Sequence, residues 1–294
     1  MLLRTSPMRG NNDNANIIQK IAAGNQLEVK SCRPLGGGDI NEVYLLETAK
    51  DKFIIKLNDA SRFPGMFEAE KEGLEELSAA GVIKVPEVKK VGEESGASYI
   101  LMEYINSAKP PIDFSRKFGQ QLAALHKTTA KDFGFKSNNY IGSLPQCNTS
   151  CTTAAEFYIT QRLEPQIKMA KDKGNDLGDP SALYKNCEAL IPQEPPALVH
   201  GDLWSGNYMV GNRGEPCLID PAVSYAPREM DLGMMKLFGG FDKEIFETYE
   251  EHFPTEAGLE ERIPLWQLYY LLVHLNIFGS GYRSQVSSIL NRYS

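Results

Sequence analysis

A chain of 294 residues that is 42% apolar and 23% charged holds enough core-forming material for one large or two modest domains, and it reads as an ordinary globular protein. Its net charge of −7, with no basic stripe, argues against a nucleic-acid partner. No apolar run reaches membrane-spanning length; the best candidate, Leu265 to Phe278, is short and carries Gln267, His274 and Asn276.

The five cysteines, Cys32, Cys147, Cys151, Cys187 and Cys217, are odd in number and scattered, which suits reduced thiols in the cytoplasm. Cys147 and Cys151 are close in sequence, but no second Cys/His pair has zinc spacing. Met1 to Asn14 reads as a disordered tail: it has Arg4 and Arg9 but no secretory apolar run, and its arginines are few for a transit peptide.

Ile17 to Ala23 reads as a short helix lying over the first domain. Gly36, Gly37 and Gly38 then precede a strand over Glu42 to Thr48, and a turn leads to a second strand, Phe53 to Leu57. Glycines between strands let a backbone approach a phosphate chain closely, although a plain tight turn explains them equally well. On the second strand Phe53, Ile55 and Leu57 share one face, and Ile54 and Lys56 the other. A lysine among such neighbours needs a partner. The helix predicted over Met66 to Ala80 offers one, because Phe67, Glu70, Leu74 and Leu77 form its apolar stripe and a lone carboxylate there is costly. A Lys56–Glu70 pair resolves both anomalies, with Glu68 and Glu72 as the competing partners.

Val82 to Val91 reads as loop plus strand, and Ser98 to Ile105 as a strongly apolar strand. Asn106 to Pro111 ends regular structure, which puts a lobe boundary near residue 106. If the two lobes bind a nucleotide, backbone groups of Glu103 and Ile105 face its base. Asp113 to Lys127 is a predicted helix that ends at His126, for which a structural role is expected. Asn138 to Gly142 is a turn-rich loop, and Ala154 to Lys173 a long helix kinked near Pro165.

The most informative stretch is Leu198 to Asn207, which runs from an apolar strand into a polar loop. Tyr208–Val210 and Pro216–Ile219 follow as short strands joined by Gly211-Asn212-Arg213-Gly214, a hairpin signal. Folding that hairpin brings Asp220 beside Asp202 and Asn207. Phosphoryl transfer from a nucleotide needs a divalent cation on the phosphates and an acceptor for the attacking hydroxyl's proton. Magnesium takes one or two hard oxygen ligands from protein, here Asn207 and Asp220, leaving Asp202 as base. Asn207 follows Asp202 by five residues, the spacing of the protein-kinase catalytic loop, with Gly201 where that loop has Arg. Glu229 to Phe238 is a predicted helix whose Asp231 has two readings, a backbone acceptor for the catalytic loop or a group that complements the helix dipole. Ile263 to Phe278 is the most apolar predicted helix; its His274 reads as a core histidine, with a substrate contact open.

With these positions placed, the chain resembles the protein-kinase-like small-molecule kinases, such as aminoglycoside and choline kinases, and most closely the fructosamine kinases. The resemblance rests on Gly36-Gly37-Gly38, Met66 to Glu70, Asn138 to Gly142 and His200-Gly201-Asp202-Leu203-Trp204-Ser205-Gly206-Asn207. It continues in Ile219 to Val223, Arg228 to Leu232, Phe238 to Phe241 and Leu272 to Gly279. It implies an α+β, bilobal protein-kinase-like fold: a tail to residue 14, a nucleotide-binding sheet lobe over 15–106, and a larger, mostly helical catalytic lobe over 107–294.

It further implies an ATP- and Mg2+-dependent kinase that phosphorylates the sugar 3-hydroxyl of ketosamines on small or protein-bound amines, a step in deglycation. Asp202 would be the base, Asn207 and Asp220 the metal ligands, and Trp204 and His274 the groups that hold the sugar. Gly36, Gly37, Gly38, Lys56, Glu70, Glu103 and Ile105 would bind the nucleotide. Two departures stand out. Many relatives carry Cys where this chain has Asp39, so no thiol switch is expected there, and the tryptophans that follow the Asn-Asn-Tyr-Ile-Gly loop in many relatives are absent. A kinase of another small alcohol or aminosugar, and a non-catalytic nucleotide-binding regulator, are the rival readings. Monomer and homodimer are both compatible with the sequence.

Overall fold

The computed structural model describes residues 11–36 and 40–293. The chain forms two compact units, one made of residues up to Glu75 together with Pro86–Asn106, the other of Glu76–Val85 together with Ser107 onward.

The first unit begins with helix α1, Asn11–Gly24. Residues 11–14, assigned to a tail on the sequence, are therefore helical; the earlier residues, together with Gly37, Gly38 and Asp39, lie outside the described residues. Strands β1 (Ser31–Leu35), β2 (Glu42–Glu47), β3 (Lys52–Asp59), β4 (Val88–Glu94) and β5 (Ala97–Glu103) form an antiparallel sheet ordered β1-β2-β3-β5-β4. Strand β1 was not expected, because Arg33 and Pro34 break any alternation and all but Leu35 of its residues are exposed. A proline is tolerated on such an edge strand, where it can leave a ladder position undonated.

Side chains alternate across β3 as a strand requires. Ile55 and Leu57 join Ile17, Ile18 and Ile21 of α1 in one core. Ile54 faces the other side, where Phe67 of helix α2 (Met66–Ala80) packs with Ile100 and Met102. The stripe on α2 is as periodic as the sequence suggests: Phe67, Leu74 and Leu77 are buried. Leu77, with Ile83, belongs to a core of the second unit.

In the second unit, α3 (Phe114–His126) is followed by a small hairpin, β6 (Asn139–Ile141) and β7 (Leu144–Gln146), where only a loop was expected. The long helix over 154–173 is interrupted. It runs as α4 (Ala154–Phe157), a π turn (Tyr158–Leu163) and α5 (Glu164–Asp172). Pro165 sits in the first turn of α5; it has no N–H to continue an α ladder, and the wider turn absorbs the break. Helix α6 (Ser181–Leu190) leads to strands β8 (Ala197–Val199), β9 (Tyr208–Val210), β10 (Pro216–Leu218) and β11 (Ser224–Ala226). These form two antiparallel pairs, β8 with β11 and β9 with β10.

Helices α7 (Glu229–Phe238), α8 (Lys243–His252) and α9 (Leu259–Phe278), a 3-10 turn (Ser280–Tyr282) and α10 (Arg283–Arg292) complete the unit. Helix α9 is apolar on nearly every side and forms the centre of the larger core, in which Trp266, Tyr269 and Tyr270 are fully enclosed. Such a helix needs packing all around it, and α7, α5 and α10 supply it. The Trp266 indole and the Arg262 guanidinium both donate to Glu229, which ties α9 to α7 through a buried ion pair. No helix among the described residues is long and apolar enough to cross a membrane.

Candidate active site

The polar loop after β8 is held from below by one carboxylate. Asp231, in the first turn of α7 and fully buried, accepts the backbone N–H of His200 at 2.8 Å and of Gly201 at 2.9 Å. His126 Nε2 lies 3.2 Å from the same carboxylate, and the other ring nitrogen is 2.9 Å from the Tyr249 hydroxyl. Burial works against a charge there. The His126 hydrogen bond and the Gly201 N–H favour the charge and hold the carboxyl below its usual range. Asp231 is thus a backbone acceptor for the loop, and His126 belongs to the same anchor.

Gly201 has φ +82°, and a β-carbon added there would lie 2.1 Å from the Ala222 carbonyl oxygen. This close approach lets Ala222 N–H donate to His200 O at 2.9 Å. The His200 ring is buried, with Nε2 2.9 Å from Ile219 O. A carbonyl only accepts, so Nε2 carries the proton and Nδ1 accepts the Asp202 N–H at 3.3 Å. Burial lowers the pKa of this histidine and keeps it neutral. It brackets the loop to the strand end and is not a base.

The β9–β10 hairpin closes through Gly211 and Gly214, with Leu218 opposite Tyr208. Ile219 N–H donates to Asn207 O at 3.0 Å, so the returning strand delivers Asp220 beside the loop. The Asn207 amide nitrogen then reaches three oxygens: Asp202 O at 2.9 Å, Asp202 Oδ2 at 3.2 Å and Asp220 O at 3.4 Å. Every hydrogen bond described for this side chain runs from Nδ2, which leaves Oδ1 as the atom to meet a cation. Asp220 has φ +55°, in the left-handed region, a conformation that Asp tolerates better than most residues and that is held in place at functional sites.

Burial of the Asp202 carboxyl and the charge of Asp220 push its pKa up to about 7, against the Asn207 hydrogen bond that favours the ionised form. One carboxylate and one amide oxygen form a donor set of the kind that suits magnesium, which keeps much of its shell for phosphates and water.

In the first unit, Lys56 Nζ lies 2.6 Å from Glu70 Oε1, with both side chains largely buried. The partner that the helix stripe favoured is therefore the one engaged. Gly36 follows β1 directly, while Gly37 and Gly38 lie outside the described residues. Glu103 ends β5 with its N–H donated to Glu87 O at 2.8 Å, and Ile105 is buried two residues further on. In the second unit, Trp204 is 41% exposed, with its indole lying on Gly206 of the same loop. His274 is half-buried on α9, and Nδ1 is 2.8 Å from Tyr270 O.

A buried polar network, hardly visible in the sequence, supports the segment after Asp220. Asn139 donates to Val223 O at 2.8 Å, and Gln146 to Ala222 O at 3.1 Å and to Asn139 Oδ1 at 2.8 Å. Tyr269 hydroxyl donates to Gln146 at 2.6 Å. Arg162, on the π turn, donates to Asn148 and Ser224 and stacks over Phe157, with its ring-face distance 4.4 Å. The one available signal was the Asn138–Gly142 run, whose amides read as turn formers rather than as clamps.

Residues 12–294 match the family model described as fructosamine kinase. The chain belongs to the fructosamine kinase family. A probable ketoamine kinase of Enterococcus faecium is 41% identical over 266 residues, 88% of this chain and 94% of the relative. The chloroplastic protein-ribulosamine 3-kinase of Arabidopsis thaliana is 38% identical over 285 residues, 93% of this chain and 85% of the relative. Among solved structures, a putative fructosamine-3-kinase from Haemophilus somnus superposes with a TM-score of 0.87 at 26% identity, covering 95% of this chain and 97% of its own. A spectinomycin phosphotransferase, solved with ADP and spectinomycin, shares the fold at a TM-score of 0.60 and 13% identity, over 98% of this chain and 92% of its own. The protein is a phosphotransferase with the α+β, protein-kinase-like fold.

Two outcomes follow from this geometry. Gly201→Ala meets both an unfavourable φ and the Ala222 carbonyl, so turnover is expected to fall by at least about 100-fold, in the range of a misplaced reacting group, with lowered thermal stability; activity within twofold of the parent would contradict the packing. Asp202 binds its proton more tightly folded than unfolded, so it costs stability as pH rises from its ordinary value of 3.8 through about 7. Asp202→Asn is therefore expected to raise the melting temperature above pH 7 and to lose that gain toward pH 4, as scanning calorimetry at several pH values would measure.

Proposed function

We propose that this family member is a ketosamine 3-kinase: it uses ATP and Mg2+ to phosphorylate the 3-hydroxyl of a ketosamine, a sugar joined to a small or protein-bound amine. The observation that carries the proposal is the Asn207 side chain, whose one amide nitrogen reaches Asp202 and Asp220 together. The named relatives support the acceptor class: one is a ketoamine kinase, another a protein-ribulosamine 3-kinase.

In this mechanism Asp202 accepts the proton of the sugar's 3-hydroxyl as its oxygen attacks the γ-phosphorus. The bond between that phosphorus and the bridging oxygen breaks, and the electron pair leaves with ADP. Asn207 Oδ1 and the Asp220 carboxylate are the protein ligands of the cation. When bound, magnesium neutralises the phosphate oxygens and the charge that develops on them. With Asp220 engaged as a metal ligand, Asp202 would lose part of the repulsion that holds its proton and would serve as base below neutral pH.

Lys56, fixed by Glu70, pairs with the phosphates; Gly36, Gly37 and Gly38 let the backbone approach them. Backbone groups of Glu103 and Ile105 meet the base. Trp204 offers an exposed aromatic face to the C–H surface of the sugar, and His274 a polar edge to the substrate. Phosphorylation at the 3-position makes the adduct labile, so that the amine is recovered; that outcome is deglycation.

The test is transfer of labelled phosphate from ATP to a ribulosamine by Asp202→Asn. Turnover is expected to fall by about 10²–10⁴-fold, the usual worth of a positioned base, while stabilisation by ATP persists. Undiminished turnover would end the assignment of Asp202, and a parent enzyme that phosphorylates no ketosamine but serves another alcohol would end the proposed substrate class.

A further inference from the structure

Four aromatic rings gather where two helices end. Phe238 is the last residue of α7 and Phe278 the last of α9; each is followed by a glycine with positive φ, Gly239 and Gly279. The His274 ring centroid lies 4.9 Å from that of Phe238, 5.5 Å from Phe278 and 5.1 Å from Tyr282. Phe238 and Phe278 are 44% and 49% exposed. Exposed large aromatics that cluster are a binding feature more often than a packing one.

This patch continues from the site. Gly240, two residues past Phe238, lies against Ser205 of the catalytic loop; a β-carbon there would come within 2.6 Å of the serine side chain. Tyr270, His274 and Phe278 are spaced one turn apart on one face of α9, each step rising about 6 Å. The contacts run from Ser205 of the loop through Gly240 and Phe238 to His274. In a ketosamine the nitrogen sits on C1, two carbons from the C3 that bears the reacting hydroxyl, so a sugar whose 3-hydroxyl faces Asp202 carries its amine close to the same loop.

The chemistry of the patch suits a cation. Aromatic faces attract ammonium groups. The C-terminal ends of α7 and α9 add the negative ends of two helix dipoles. The His274 Nδ1 proton is committed to Tyr270 O, and burial keeps the ring neutral, so Nε2 presents a lone pair to a donor. The basic groups on adjoining segments are engaged elsewhere: Lys173 Nζ donates to Asn276 O at 2.6 Å, Arg283 Nη2 to Asp176 O at 3.3 Å, and Lys236 pairs with Glu260.

We propose that Phe238, His274, Phe278 and Tyr282 form the subsite for the protonated secondary amine of the substrate, with the ammonium against the rings and one N–H donated to His274 Nε2. This rests on the ketosamine kinase reading and deepens it: the enzyme selects an amine-bearing ketose over the bare sugar. The attached side chain leaves over Phe238 and Phe278, which are open to solvent, so an amine on a protein surface is admissible.

The double variant Phe238→Leu/Phe278→Leu of the full chain keeps apolar bulk and removes two ring faces. With ATP and a ribulosamine on the side-chain amine of an Nα-blocked lysine, its KM is expected to rise about tenfold, the scale of a lost cation–π contact. The inhibition constant of ribulose as competitor, which lacks the amine, is expected to change less than twofold, and the melting temperature to hold. An unchanged KM for the ribulosamine overturns the proposal; so does an equal loss for both ligands, which would place the sugar itself on the rings. Failure of the unaltered enzyme to phosphorylate any ketosamine overturns the underlying function, and that result is seen before any variant is made.

Discussion

The buried carboxylate of Asp231 accepts two consecutive backbone N–H groups, of His200 and Gly201, and the site depends on that contact. A loop that leaves a short strand has no ladder to satisfy its amides, and a buried amide without an acceptor is costly. Asp231 removes that cost and fixes where the next residue, Asp202, begins. His126 and Tyr249 in turn hold Asp231, so helices α3, α7 and α8 all converge on one carboxyl.

The protein treats two neighbouring carboxyls, one on helix α7 and one on the loop, in opposite ways. Asp231 has donors enough to stay ionised despite complete burial. Asp202 has burial and the charge of Asp220 against it, with one amide in its favour, and its proton affinity rises to about 7. One is an anchor and the other the proposed base, and their environments set the two carboxyls apart. The same economy appears at His200, which burial keeps neutral so that it can receive one hydrogen bond and donate another.

Much of this was legible in the chain, for identifiable reasons. Helix α2 has the bounds that its periodicity predicts, because it carries one clean apolar face, and α7, buried on nearly every side, has the bounds that its acidic start suggests. Lys56 and Glu70 stood out as charges on apolar faces, and such charges find each other. The hairpin was visible because glycines flank its turn. Strand β1 and helices α6, α8 and α10 were not foreseen: β1 is an exposed edge, and those helices are short and mixed in polarity, held by tertiary packing rather than by pattern. The π turn and the Arg162 network were hidden for a different reason. Their partners come from Cys147, Asn148 and Ser224, far apart in sequence, and no local period encodes such contacts.

The proposed base, Asp202, would hold its proton near neutrality until a cation engages Asp220. Carbon-13 NMR titration of the Asp202 side-chain carboxyl, in the free protein and with Mg2+ and a non-hydrolysable ATP analogue, measures this directly. A midpoint near 7 in the free protein that moves down on loading is the expected result. A midpoint in the ordinary carboxylate range, unmoved by the metal nucleotide, would contradict it.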